Sequence, residues 1–186
     1  MKAQIMQDPD ASLAHQDSLP LSSDALLAQL DDWGLSYVLH SHVPLRTVAD
    51  AQAVEHALTV PGENAFRTKN LYLRDRKKRN YLVTLEQDRE IDLKALGTQI
   101  GAPGLSFGSP DRLLQNLGVR PGAVSPLAMI TGVQHGVTFH LDAAAPLADV
   151  IYVHPLVNDR TLAMPRADLM AFFDRIGCAV TLLELS

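Results

Sequence analysis

The chain has 186 residues, 47% hydrophobic and 20% charged, which suits one domain with a real core. Its apolar runs fall short of the roughly 18 residues a membrane helix needs. The opening "MKAQIMQDPDASLAHQDSLP" has no secretory pattern, so a cytosolic protein with no membrane association is expected.

In chain order, residues 1–20 lack periodicity and read as a mobile tail, leaving 21–186 as the folded domain. "SSDALLAQLDDWG" is a helix with Ser22 or Ser23 as its cap and Gly34 closing it, and "LSYVLHS" alternates as a strand. Thr47 caps a second helix, "VADAQAVEHAL", before the loop "VPGENAFR". A hairpin follows, its arms "KNLYLRD" and "NYLVTLE". "DLKALGTQIG" and "SPDRLLQNLG" are helices ending at Gly101 and Gly118, the second with Ser109 as cap and Pro110 in its first turn. "VRPGAVSP" is a stiff loop, "VTFHLD" and "VIYVHPL" are strands, "RADLMAFFDRIG" is a helix and "AVTLLEL" a closing strand. Helices and hairpins interleave, so the expected fold is α/β: a single domain whose mixed, mainly antiparallel sheet or partly closed barrel is flanked by helices.

Charge is segregated within this frame. The net charge is −5, yet Arg67 to Arg79 holds seven basic residues and one acid, Asp75, or +6 against −11 elsewhere. Arg74, Arg76, Lys77, Lys78 and Arg79 gather at the hairpin tip, with Arg67 and Lys69 at its foot. A solvated hairpin explains such a run, and so does a phosphate-binding surface.

Other motifs are weaker. "GLSFG", residues 104–108, satisfies G-x-S-x-G, with His154 and Asp142 or Asp149 as conceivable partners of Ser106. A nucleophile elbow needs a strand entering and a helix leaving the turn, whereas here a helix and Pro103 precede Ser106 and Ser106 itself reads as strand. His40 and His42 share a strand face without companion ligands, the single Cys178 excludes a thiolate cluster, and no metal is expected. No phosphate-binding glycine motif occurs, so neither nucleotide hydrolysis nor a dinucleotide cofactor is expected.

Three features are more specific together. "TKNLYLRD" sets Lys69 and Asn70 at the start of a strand, "RPGAVSPLAM" puts Gly122 and Pro126 around a tight loop, and "HPLVNDRT" brings His154, Asn158 and Thr161 after a strand. In this order, and with the entry "HSHVPLRTVADA", the chain from about Ser23 to Leu185 resembles the freestanding prolyl-tRNA synthetase-associated editing domains, hydrolases that remove wrongly attached amino acids from tRNA. Within that family it is most similar to the Ala-tRNA(Pro) deacylases. Two departures bear on the pocket: Arg46 stands where an aromatic residue is usual, and Thr131-Gly132 where an Asn-Asp pair is frequent.

The resemblance implies a substrate whose activated ester needs a positioned water and oxyanion stabilisation rather than a serine or a metal, with no cofactor. It implies that Lys69 contacts the phosphate of the terminal adenosine and that the neighbouring 2′-hydroxyl assists hydrolysis. Glycine at 122 lets the backbone approach the ester, Pro121 and Pro126 stiffen the loop, and the N–H groups of Ala123, Val124 and Ser125 are candidate donors. His154 is the candidate side chain for ordering water or moving a proton, with Asn70 and Asn158 as polar neighbours. Arg67 and the tip from Arg74 to Arg79 would meet acceptor-stem phosphates near the 3′ end. The expected partner is tRNA(Pro), with prolyl-tRNA synthetase left open as a second. Deacylation of Cys- or Ser-tRNA(Pro), a non-catalytic tRNA-binding module and a small-molecule esterase are the alternatives.

Overall fold

The computed structural model describes residues 8–185. Its helices are α1 (Ser23–Asp32), α2 (Val48–Leu58), α3 (Leu93–Ile100), α4 (Pro110–Leu117), the single turn α5 (Met129–Gly132) and α6 (Arg166–Arg175). The strands are β1 (Val38–Ser41), β2 (Ala65–Arg74), β3 (Asn80–Glu86), β4 (Ser106–Phe107), β5 (Thr138–Asp142), β6 (Val150–Val153), β7 (Arg160–Pro165) and β8 (Val180–Leu183). Local chemistry fixes the helix starts. Ser22 Oγ accepts from Ala25 N–H, Thr47 and Asp50 form a reciprocal capping box, and Ser109 Oγ accepts from Arg112 N–H.

The strands form one sheet in the order β1-β7-β6-β2-β3-β5-β8, with β4 on the edge of β2. Pairing is antiparallel for β1/β7, β6/β7, β2/β3 and β2/β4, and parallel for β2/β6, β3/β5 and β5/β8. The sheet is mixed and stays open, so the barrel alternative is not what forms. β7 was not foreseen; its sequence, "RTLAMP", follows the Asn158–Asp159 turn at once and ends at the proline that starts α6.

Apolar residues pack on both faces of the sheet. Phe66, Leu82, Phe139, Ile151 and Leu162 face one cluster with α1, α4 and α6, while Leu73, Tyr81, Val83 and Leu85 face a smaller one with Leu96 of α3. β3 is buried from Tyr81 to Leu85 because both its faces are covered, which is why "YLVTL" does not alternate. By contrast α2 has no buried residue and lies against the second face as a loosely attached wall.

One expectation needs correcting. Residues 8–20 were placed in a mobile tail, but Ala11 and Ser12 are buried and Leu13–Ser18 forms a 3-10 turn. Ala11 O accepts from Asn158 N at 2.8 Å, Leu13 N donates to Asp159 Oδ1 at 2.8 Å, and Asp10 pairs with Arg46 at 3.1 Å. Polar anchors to distant loops hold the segment, and such anchors have no periodic signature. The earlier part of that tail, residues 1–7, lies outside the described residues.

Candidate active site

A cleft of about 200 Å³ opens on the second face of the sheet, lined by Arg67, Thr68, Gln87, Tyr152, His154 and Thr161 with Glu55 of α2 across from them. Alternation builds it: Tyr152 and His154 are two apart, and Arg67 is the register partner of Tyr152 in the parallel β2/β6 pair. The Arg67 guanidinium lies 4.4 Å over the Tyr152 ring and 3.8 Å from the Glu55 carboxylate, which also accepts from Gln87 at 2.7 Å. Burial and the Glu63 carboxylate, to which Tyr152 donates at 2.7 Å, push the tyrosine pKa up to about 12. It therefore stays a neutral donor.

His154 is set for proton chemistry. Its Nδ1 lies 2.7 Å from the Arg160 carbonyl, which can only accept, so Nδ1 carries the proton and Nε2 keeps its lone pair in the neutral ring. Burial lowers the His154 pKa, with the nearby His42 adding to the shift and the Arg160 carbonyl opposing it. His42 has its ring centroid 6.3 Å away, with Nδ1 on the Val43 carbonyl and Nε2 on the Thr161 hydroxyl, both at 2.8 Å. The loop after His154 is held in an uncommon shape: Leu156 has φ 68° and is buried in the main core. A bulky residue in the left-handed region persists only where packing enforces it, here between His154 and Asn158.

The glycine loop lines an adjoining cavity of about 330 Å³ with Asp10, Leu45, Arg46, Arg120, Gly122 and Asn158. Leu45 borders both spaces and so joins the loop to the His154 cleft. Gly122 has φ 94°, a conformation suited to glycine, and Asn158 Nδ2 would lie 3.6 Å from a Cβ there. Ala123 is not an available donor, because its N–H closes a turn onto the Arg120 carbonyl at 3.0 Å. The N–H groups of Val124 and Ser125 have no hydrogen-bond partner among the described residues. Ser125 and Pro126 are buried, and Ser125 Oγ accepts from Leu127 N–H.

Lys69 shares the sheet face of Arg67 but lines neither space, and its ammonium donates to the Arg89 carbonyl. Lys69 and the Gly122 loop thus have no cavity in common. Asn70 accepts from Thr84 and donates to Thr68 on the opposite face of β2. At the hairpin tip Arg79 is committed, its Nε and main-chain N–H to Asp75 and its Nη2 to the Gly101 carbonyl. Asp75 is buried among these donors; burial works to raise its pKa, but the Arg79 and Tyr81 hydrogen bonds prevail and lower it. That leaves Arg76, Lys77 and Lys78 exposed and Arg74 half-buried with an unpartnered Nε. Ser106 is exposed on β4 opposite Arg74, and Nδ1 of His154 meets a carbonyl rather than an aspartate, so no serine triad is assembled. No cluster of three or more metal-ligating side chains occurs among the described residues.

The sequence pattern of the aminoacyl-tRNA editing domain matches residues 45–172, which span the cleft, the hairpin and the glycine loop. The chain belongs to the aminoacyl-tRNA editing domain family. A relative in Acetoanaerobium sticklandii, the prolyl-tRNA editing protein ProX, is 33% identical over 166 residues, covering 88% of this chain and 98% of its own. The prolyl-tRNA synthetase associated domain-containing protein 1 of Danio rerio is 38% identical over 109 residues, 58% of this chain and 59% of its own. The editing-domain fold also matches a crystal structure of a candidate trans-editing enzyme for prolyl tRNA synthetase, with TM-score 0.60, 19% identity and 97% and 99% of the two chains covered. Among the described residues no helix is long and apolar enough to cross a membrane.

Residue reasoning missed Glu55, Gln87 and Tyr152 and put Arg67 with the phosphate-binding residues. Only the β2/β6 register brings Arg67 over Tyr152, and parallel register leaves no local trace in sequence.

Proposed function

We propose that this editing-domain protein is a trans-acting deacylase in the cytoplasm that hydrolyses the ester of mischarged aminoacyl-tRNA, with Ala-tRNA(Pro) foremost. The observation that carries the reading is the neutral His154, its Nε2 lone pair available in a cleft joined through Leu45 to the cavity that Gly122 lines.

In this reading a water attacks the acyl carbonyl while His154 Nε2 or the adenosine 2′-hydroxyl relays its proton to the leaving 3′-oxygen. The new C–O bond forms to water as the ester C–O bond breaks. The Val124 N–H, on the half-buried residue of the loop, would stabilise the oxyanion, a kind of contact worth about 3–4 kcal/mol of barrier elsewhere. Lys69 and the exposed cations of the tip hold phosphates, as point charges that need no fixed geometry. Lys69 would leave the Arg89 carbonyl to do so.

Size would govern selectivity. A synthetic site for proline rejects a smaller amino acid by only about 1–3 kcal/mol per methylene, so a second cleft that excludes proline removes the error. The test is a deacylation panel with Ala-, Ser-, Cys- and Pro-charged tRNA(Pro). Alanine should be released fastest and proline spared; rapid release of proline alone would contradict the sieve.

A further inference from the structure

The "GLSFG" segment has no role in the chemistry above, yet its shape is set residue by residue. Gly108 N donates to the Tyr72 carbonyl at 3.0 Å, and a Cβ on Gly108 would overlap the Tyr72 ring. Gly104 has φ 67°, and a Cβ there would lie 3.2 Å from Arg76 Nε. Arg76 N in turn donates to the Pro103 carbonyl at 2.8 Å, which fixes the basic tip against this turn. Between the glycines β4 pairs with the edge of β2, Ser106 opposite Arg74 and Phe107 opposite Leu73.

Leu73 is fully buried, but Phe107 is 65% exposed and is the only aromatic among the large exposed hydrophobic residues described. Directly paired residues share a face, and so do residues two apart along a strand. Phe107 therefore stands on the face of β2 that carries Leu71, Lys69 and Arg67, the face into which the cleft opens. Lys69 lies between ring and cleft, and the distance from Lys69 to Leu73 along β2 is roughly 13 Å. On the same turn, Arg76 packs against Gly104, three residues before the ring, and is exposed with Lys77 and Lys78, whereas Arg74 pairs with Ser106 and faces the other side of the sheet.

We propose that Phe107 is a stacking platform for one unpaired base near the 3′ end of the RNA, with Arg76 on an adjoining phosphate. An exposed aromatic among cations is how sequence-tolerant single-strand sites are built, because every base has a π-face. The choice of tRNA as the RNA rests on the proposed function; the stacking contact does not depend on hydrolysis.

The test is equilibrium binding of uncharged tRNA over a salt series. Phe107→Ala should weaken binding by roughly fivefold to a hundredfold, the span of base–aromatic stacking, with the salt slope unchanged. Phe107→Trp should restore it. Arg76→Ala should instead reduce the log–log salt slope by about one. Because the ring is exposed, the melting temperature of Phe107→Ala should match the parent. Unchanged affinity in Phe107→Ala, or a loss that Trp fails to restore, overturns the proposal. A stacking effect without ester cleavage would sink the deacylase and leave this contact standing.

Discussion

His154 donates its Nδ1 proton to the Arg160 carbonyl at 2.7 Å, across the turn that joins β6 to β7. That bond fixes the tautomer, and burial holds the pKa below the ordinary 6.5. The folded protein thus binds this proton less readily than the unfolded chain, so its stabilising contribution is full above pH 6.5 and is lost as pH falls through the lowered value. Unfolding titrations should show stability declining on acidification in that window. His154→Gln should flatten the decline but not abolish it, since His140 is also lowered by burial. The deacylation rate should instead hold down to the lowered pKa and fall below it as Nε2 takes up a proton; a rate that stays constant well below that pKa would remove His154 as proton carrier.

Lys69 is the next cation along β2 after Arg67, which itself lines the cleft. Lys69→Met keeps most of the stem and removes the charge, so the fold should persist. Loss of a charge-assisted contact of about 1.5–3 kcal/mol should lower kcat/KM on mischarged tRNA by roughly ten- to a hundredfold. Undiminished kcat/KM would take Lys69 out of the site.

The glycine and serine of "GLSFG" should respond in opposite ways. Ser106→Ala should leave deacylation nearly unchanged, because the exposed hydroxyl sits opposite Arg74 on the sheet edge, apart from the His154 cleft. Complete loss would revive a serine nucleophile. Gly108→Ala drives a methyl into the Tyr72 ring and should destabilise the fold by about 1–3 kcal/mol, read from denaturant unfolding.

The N-terminal segment should be worth measurable stability. Deleting residues 1–18 removes the Ala11–Asn158 and Leu13–Asp159 hydrogen bonds together with the Asp10–Arg46 and Ser18–Arg120 contacts. Two part-buried hydrogen bonds at about 1 kcal/mol each correspond to roughly 4–8 °C in melting temperature for a chain of this size. An unchanged melting temperature would mean that the segment merely rests on the domain.

Local chemistry was legible in the sequence: the caps at Ser22, Thr47 and Ser109, the glycine ends at Gly101 and Gly118, and the basic hairpin depend only on neighbours within a few residues. The motif set also carried the family. What only the folded chain decided are relations between distant segments. Parallel pairing laid Arg67 over Tyr152, the turn after His154 spent one ring nitrogen and freed the other, and Asp75 took Arg79 out of the free charge at the tip. Long-range register and hydrogen bonds between remote loops follow from how whole faces bury, so no window of sequence displays them.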